Sequence, residues 1–215
     1  MGVAIYATNY YLCVMKRLFS ILVLSFLLFG SAKAEIYLKL NAPYALVGVI
    51  NPQVEAAIAP HSSLAVEATF SPWRSVNSRH LFFGMFGGEY RYYIKSATKG
   101  FYGAVNVGMM GFDIHKPRLF EGGKLLSFNT NYGKGFGLTV GVGVGYHYQF
   151  ARRWSLDVFA AVAYMRSWYN GYRPDGTIVM DPQGHEDYIH PDPFNGSSEI
   201  MPLKAGLSFG FLLFE

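Results

Sequence analysis

Residues 136–150 alternate between bulky apolar side chains and small or polar ones. A period of two indicates a β-strand whose two faces meet different surroundings. The other face is mostly glycine, with Thr139, His147 and Gln149. The apolar face consists of Phe136, Leu138, Val140, Val142, Val144, Tyr146, Tyr148 and Phe150.

Residues 154–164 repeat this alternation, with an aromatic residue at each end. At about 3.4 Å per residue, and with a tilt of roughly 40°, such a strand covers about 26 Å. That length matches the apolar band of a transmembrane β-barrel, which aromatic side chains border on both sides. The sequence predicts an aromatic girdle made of Tyr90, Tyr92, Tyr146, Tyr148, Trp154 and Tyr164.

The same pattern recurs along the chain and predicts an all-β fold, a transmembrane antiparallel up-and-down barrel of eight strands. Short turns alternate with longer polar connections at 71–79, 115–133 and 171–198, except for a very short first link at Asn51. This alternation is typical of periplasmic turns and extracellular loops. The predicted strands are 36–50, 52–60, 63–72, 80–95, 100–114, 134–150, 153–170 and 199–214.

The composition supports strands, and not helices, as the membrane-crossing elements. Charged residues make up 15% of the chain, against about 25% in ordinary soluble domains. No stretch after residue 35 approaches the roughly 18 apolar residues that a membrane helix needs. Strands that cross a bilayer must close into a barrel to satisfy their backbone groups.

The face opposite the apolar one carries only about one charge per strand, whereas soluble surfaces carry far more. The apolar face is therefore predicted to point outward and the charged side chains into the lumen. Opposite charges in a narrow lumen can pair, and eight strands leave no room for a solute pore. The predicted lumen network consists of Lys39, Glu55, Glu67, Glu89, Arg91, Asp157 and Lys204.

The N-terminus has the layout of a cleaved signal peptide. Basic residues at 16–17 precede an apolar stretch at 18–30, and Ala32-Lys33-Ala34 forms an Ala-x-Ala cleavage site. We expect residues 1–14 to be a mis-annotated upstream extension, 15–34 the signal peptide and 35–215 the barrel domain. Removing Lys16, Arg17 and Lys33 reduces the formal charge of +4 to +1, which disfavours nucleic acid as a partner.

Two segments resemble known outer-membrane barrels. Residues 64–73, Leu-Ala-Val-Glu-Ala-Thr-Phe-Ser-Pro-Trp, form a strand that ends in a Pro-Trp corner, and residues 86–93 contain Glu89-Tyr90-Arg91 followed by aromatics. Both are similar to an uncharacterised Bacteroidetes-type family of small outer-membrane barrels, a domain of unknown function. The whole mature chain also resembles the eight-stranded barrels of the outer-membrane-protein-A and -X type. The resemblance implies a fold and the outer membrane of a Gram-negative bacterium, but no activity.

The C-terminus resembles the signal that the barrel-assembly machinery reads, with Lys204, Gly206, Phe209 and Phe211 at the matching positions. The usual last residue of that signal is aromatic, whereas here Phe214 is followed by Glu215. The resemblance implies the assembly machinery as a partner during biogenesis.

Candidate residues for chemistry are few. The His-x-Ser at His61 and Ser63 resembles outer-membrane lipid A deacylases, but it lies in a predicted periplasmic turn, so a polar turn is the preferred interpretation. His185 and His190 lie five apart in a loop rich in Pro and Gly, and are weak metal candidates beside a solvated loop. We therefore predict no catalytic residues and no cofactor.

The functional hypothesis is a non-enzymatic, monomeric outer-membrane barrel with a filled lumen. Its partners would be outer-membrane lipid and lipopolysaccharide, and its loops would support a structural or surface-interaction role. The alternatives are a lipid A deacylase-like enzyme and a soluble lipocalin-like binder.

Overall fold

The computed structural model describes residues 35–76, 79–121, 124–178 and 195–214. Within these ranges, eight strands pair in sequence order, each antiparallel to the next, and β8 pairs with β1 to close the barrel. The predicted all-β fold of eight antiparallel strands is confirmed. The elements are β1 Ile36–Asn41, α1 Ala42–Leu46, β2 Pro52–Ala59, β3 Ser62–Val76, β4 Arg79–Tyr93, β5 Gly100–Glu121, β6 Lys124–Gln149, β7 Trp154–Tyr172 and β8 Asn195–Phe214.

The alternation along β6 separates outer wall from lumen. Val142 and Val144 are 58% and 66% exposed on the outside. Thr139 and His147, on the opposite face, are buried. Gly141, between them, lies against Asn106 of β5 on the lumen side. The apolar face of this strand therefore points away from the barrel axis.

The predicted first strand, 36–50, is wrong beyond Asn41. There the chain turns into α1, whose N-cap is Asn41 and whose first turn contains Pro43. A proline in a first helical turn removes no intrahelical hydrogen bond, so the position favours a helix start. Gly48 then adopts a left-handed φ of +72°. The first connection thus spans 42–51, and the very short link predicted at Asn51 does not exist.

Two of the predicted long loops are also wrong. Residues 71–76 continue β3, and 79 is the first residue of β4. Similarly, β5 continues to Glu121 and β6 begins at Lys124. These extensions carry polar residues, so no apolar alternation marks them. Their strands form because each supplies the backbone partner of the other, whatever its side chains.

One side of the barrel wall is short, because β1 and β2 have 6 and 8 residues while the other strands have 15 to 26. The connection 42–51 covers part of this side. Ile50 exchanges two backbone hydrogen bonds with Phe70, and the indole of Trp73 donates to the carbonyl of Val47 at 2.9 Å. Pro72 stands two residues beyond Phe70 on this edge, where a missing N–H leaves no strand partner unsatisfied.

Polar and charged side chains dominate the interior of the barrel. The largest fully buried side chains among the described residues include Arg91, Tyr37, Tyr93, Lys39 and His147. Helical structure in the described part of the chain nowhere reaches the length and apolarity of a membrane-crossing helix.

Candidate functional site: the charge network of the lumen

The seven residues of the predicted network lie together in the lumen. We call them the charge network: Lys39, Glu55, Glu67, Glu89, Arg91, Asp157 and Lys204. They come from six strands that are distant in sequence, and strict inside-outside alternation aims each side chain at the barrel axis. The most exposed member, Glu67, has a side chain that is 18% exposed.

Two bases and two acids form the centre of the charge network. Lys39 Nζ lies 2.5 Å from Glu55 Oε2 and 2.7 Å from Asp157 Oδ2. Arg91 Nη1 lies 2.7 Å from the same two oxygens. All four side chains are at most 1% exposed. Each carboxylate therefore touches two cations, an arrangement that offsets the cost of removing these charges from water.

A closed ring of polar contacts extends from this centre. Arg91 Nε donates to Glu89, and Lys204 Nζ lies 2.8 Å from both Glu89 and Glu67. Gln53 returns the ring to Arg91, because its Nε2 donates to Glu67 at 3.1 Å and its Oε1 accepts from Arg91 Nη2 at 3.0 Å. The ring ties β2, β3, β4 and β8 together through side chains.

Uncharged partners complete the lumen. The alternation over 136–150 places His147 on this face, whereas the predicted network does not include Tyr93 or Tyr102. Tyr93 donates to Glu55, and Tyr102 donates to Asp157 Oδ1 at 2.9 Å. His147 Nδ1 lies 2.9 Å from Lys39 Nζ. Residue spacing indicates the lumen position of Tyr93, because a residue two positions after Arg91 on a strand lies on the same face. With these residues, all eight strands contribute to the lumen.

Glycines provide the room for the large lumen side chains. A Cβ at Gly145 would collide with the ring and hydroxyl of Tyr102, and one at Gly210 would lie 3.2 Å from Lys39 Cγ. The glycine face of β6 therefore has a packing role. It lets the neighbouring strand place an aromatic ring where β6 has no side chain.

Glu55, His147 and Asp157 offer three ligand atoms within 4.8 Å of one another, the spacing of a metal site. The ammonium of Lys39 touches all three side chains, so it takes the place that a metal ion would need. In this arrangement the three groups bind the ammonium of Lys39, whose positive charge compensates the carboxylates of Glu55 and Asp157.

The predicted girdle residues all lie on the outer surface, with exposures from 39% for Tyr146 to 55% for Tyr92. Tyr90, Tyr92, Tyr146, Tyr148 and Trp154 lie toward the short turns, and Tyr164 lies farther along β7. Two neighbours extend the cluster at the short turns. Phe101 packs on Tyr146 at 4.6 Å and Phe211 on Trp154 at 5.1 Å between ring centroids.

The four residues that resemble an assembly signal divide between the two faces of β8. Lys204 and Gly206 face the lumen, where Gly206 lies against Asn41. Phe209 is 46% exposed on the outside, and Phe211 packs there on Trp154. The polar and apolar parts of the pattern thus follow the alternation of the strand.

His61 and Ser63 are not arranged as a base and a nucleophile. Ser63 is fully buried and its hydroxyl donates to Glu55, while His61 Nδ1 lies 3.1 Å from the carbonyl oxygen of Tyr93. A serine whose proton is held by a buried carboxylate in an ion-pair network has no access to substrate. The weak metal candidates His185 and His190 lie outside the described residues, as do 1–34.

The comparison with protein families assigns the chain. A family described as proteins of unknown function, DUF3575, matches residues 18–195. The chain belongs to the DUF3575 family. For this DUF3575 protein, no curated protein and no solved structure gives a match. The matched range contains β1 to β7 and the first residue of β8, so it covers every member of the charge network except Lys204.

Proposed function

We propose that this DUF3575 protein is a membrane-spanning barrel of the outer membrane of a Gram-negative bacterium. One observation carries the proposal: the distribution of side chains is the reverse of that in a soluble protein. Large apolar side chains of all eight strands are at least 43% exposed on the outer wall. They include Leu38, Val54, Val66, Phe86, Val107, Val142, Val144, Val158, Val162 and Phe209. The interior buries Lys39 and Arg91 together with the acids Glu55, Glu89 and Asp157.

This reversal supports a membrane barrel over a soluble binder. A soluble barrel packs its apolar side chains inside and exposes its charges. Exposed apolar patches on soluble monomers cover a few hundred Å² at most, whereas here apolar residues of all eight strands face outward. In water, these exposed apolar side chains carry an unfavourable hydration free energy. In the hydrocarbon of a bilayer they do not.

The filled lumen supports a structural or surface-interaction role over transport. Arg91, Lys39 and Tyr93 occupy the axis and are at most 1% exposed. An eight-stranded barrel has just enough interior for side chains. The surfaces left for partners are the connections at the end opposite the short turns, together with the outer wall for lipid and lipopolysaccharide.

The signal-peptide pattern at 15–34 supports export, and the resemblance to Bacteroidetes-type barrels supports such a source. The expected maturation is cleavage after Ala34. Mass spectrometry of the protein from the outer-membrane fraction checks this: its N-terminal peptide should begin at Glu35.

Matched arginine substitutions test the membrane proposal. Val144→Arg places a charge in the middle of the apolar wall, where it should destabilise a lipid-embedded barrel by about 2–4 kcal/mol. Ala151→Arg makes a similar change in an exposed short turn and should have little effect. Folding into lipid vesicles, followed by heat-modifiable gel migration, measures both. A water-facing wall would accept both arginines equally, and that result would reject the membrane proposal.

Two further measurements address the role. The purified protein in a planar bilayer should show no sustained conductance, and a pore would contradict the filled lumen.

Lipid A from a deletion strain should have an unchanged acylation pattern, because Ser63 is buried and bonded to Glu55. A clear acylation change would favour the lipid-modifying alternative.

A further inference from the structure

The charge network contains more acids than bases. Lys39, Arg91 and Lys204 face four carboxylates, so the formal charge of the network is −1. An uncompensated charge in a low-dielectric interior is costly. A compensating positive charge from solution would remove this cost if the lumen offered it ligands and space.

Asn106 offers ligands that no described residue uses. It lies on the lumen side of β5, is 4% exposed, and neither its amide oxygen nor its amide nitrogen has a hydrogen-bond partner among the described residues. Buried side-chain amides in folded proteins almost always have partners. The side-chain oxygen Oδ1 of Asn106 lies over Gly141, and a Cβ added at this glycine would be 2.7 Å from it.

A cavity lies directly beside Asn106. Its polar lining includes Glu67 and Thr139, beside Gly87 and Gly108. The apolar part is formed by Met85, Phe86, Val107 and Leu203. The space open to the centre of a water molecule is about 20 Å³, enough for one particle of that size. A Cβ at Gly108 would lie 3.1 Å from Thr139 Oγ1 and one at Gly87 would lie 3.0 Å from the carbonyl oxygen of Val107.

We propose that this cavity binds one monovalent cation of the size of Na⁺ or K⁺. Its ligands are the carboxylate of Glu67, the amide oxygen of Asn106 and the hydroxyl of Thr139. Hard cations of this kind take oxygen ligands, and a single positive charge balances the network. A divalent ion would overcompensate, since Lys204 Nζ already lies 2.8 Å from Glu67 Oε2. Gln53 also bonds to Oε2, which leaves Oε1 for the ion.

Salt-exchange unfolding tests the site on the full mature barrel. Urea unfolding is measured in NaCl, KCl and choline chloride at equal ionic strength, because choline is far too large for the cavity. Na⁺ or K⁺ should stabilise the fold in a saturable way, by about 100-fold in the folding equilibrium at 100 times the dissociation constant. Equal stability in all three salts would overturn the proposal and would indicate that Asn106 binds water.

Two variants locate the effect. Asn106→Leu removes the amide and should abolish the salt preference. Ser155→Ala is the matched control, because Ser155 Oγ is also buried without a described partner but does not line this cavity; its salt preference should equal that of the wild type. A preference that persists in Asn106→Leu would place the cation elsewhere and reject the site.

A direct measurement covers the case in which Asn106→Leu fails to fold. Crystals of the unmodified protein grown in RbCl or TlCl should give an anomalous peak within coordination distance of Glu67, Asn106 and Thr139. If anomalous peaks of these cations are present elsewhere in the crystal and none is found at this cavity, cation binding at the cavity is refuted.

Discussion

The two ends of the lumen are packed by different chemistry. Toward the short turns, Lys39, Glu55, Arg91 and Asp157 are almost completely buried and held by several directed contacts each. Toward the long connections, methionines on neighbouring strands face inward, and some remain half-buried: Met85, Met110, Met165 and Met201. Charged groups demand one geometry, whereas methionine adapts to irregular space. One end therefore specifies the barrel, and the other end fills its interior.

The ionic end also specifies register. Because the side-chain period of a strand is two, a slip of one residue in β4 would turn Glu89 and Arg91 from the lumen to the apolar outer wall. Such a slip would expose two charges to the surroundings of that wall and leave Glu55 and Asp157 with Lys39 as their one remaining cation. Methionine and glycine positions penalise the same slip far less.

The largest effect should follow from Arg91→Met. This change removes the cation that contacts Glu55, Glu89 and Asp157 together, and leaves the first and third with Lys39 alone and Glu89 with Lys204 alone. Breaking a buried pair costs about 3–5 kcal/mol. Urea unfolding in detergent or lipid measures it. Arg166→Met is the control, because Arg166 is exposed and bonds to Ser198, so its effect should stay below about 1 kcal/mol. Equal effects would show that the network does not specify the fold.

A smaller loss is expected from Gly145→Ala. The added methyl group collides with the Tyr102 ring, which also lies 4.6 Å from the Arg91 guanidinium. Overpacking of this kind costs about 1–3 kcal/mol. Gly103→Ala is the matched control, since nothing lies within 4 Å of its Cβ position. If both alanines are tolerated, Tyr102 does not depend on the glycine face of β6.

Met165→Ala probes the adaptable end and should cost about 2 kcal/mol, the lower part of the range for buried large-to-small changes. The Met165 side chain reaches across Gly137, where a Cβ would be 2.6 Å from its terminal methyl. Met165→Leu should cost less than about 1.5 kcal/mol. Unfolding midpoints compare the two. A leucine as harmful as alanine would mean that this end also requires one geometry.

The smallest effect concerns the connection after β7. Asp175 accepts hydrogen bonds from the Thr177 amide at 2.9 Å and hydroxyl at 2.7 Å, which lower the pKa of Asp175. A lowered pKa means that this local order is complete above the usual aspartate pKa and is lost as pH falls through the folded value. The Thr177 amide resonance should follow that acid titration, and in Asp175→Asn it should not. A barrel that unfolds in the same pH range would contradict a purely local role.

Periodicity in the sequence was sufficient for most of the fold. The alternation over 136–150 and 154–164 predicts β6 and β7, and it also predicts which of their side chains point into the lumen, because pleating leaves a strand residue only two directions. The same alternation predicts that the charged side chains at the centre of the network lie inside the barrel. Tyr93 shares the parity of Arg91 but carries no charge, which is the property that identifies the predicted members of the network.

Other features depended on partners distant in sequence. The helical turn after Asn41 has a local signal in Pro43. The closure of the wall beside it depends on Ile50 on Phe70 and Trp73 on Val47, contacts that no local pattern records. The polar extensions of β5 and β6 exist because each supplies the backbone partner of the other. Contacts between strands carry no periodic signal.

The amino-acid sequence alone thus determined the number of strands, their antiparallel order and the face on which each charge lies, since these follow from local stereochemistry and from the hydrophobic effect. Only the tertiary structure decided that Arg91 joins Glu55, Glu89 and Asp157, that Lys39 lies among three potential metal ligands, and that Asn106 borders a cavity beside Glu67. Barrel closure sets those distances, because it fixes the stagger of eight strands at once.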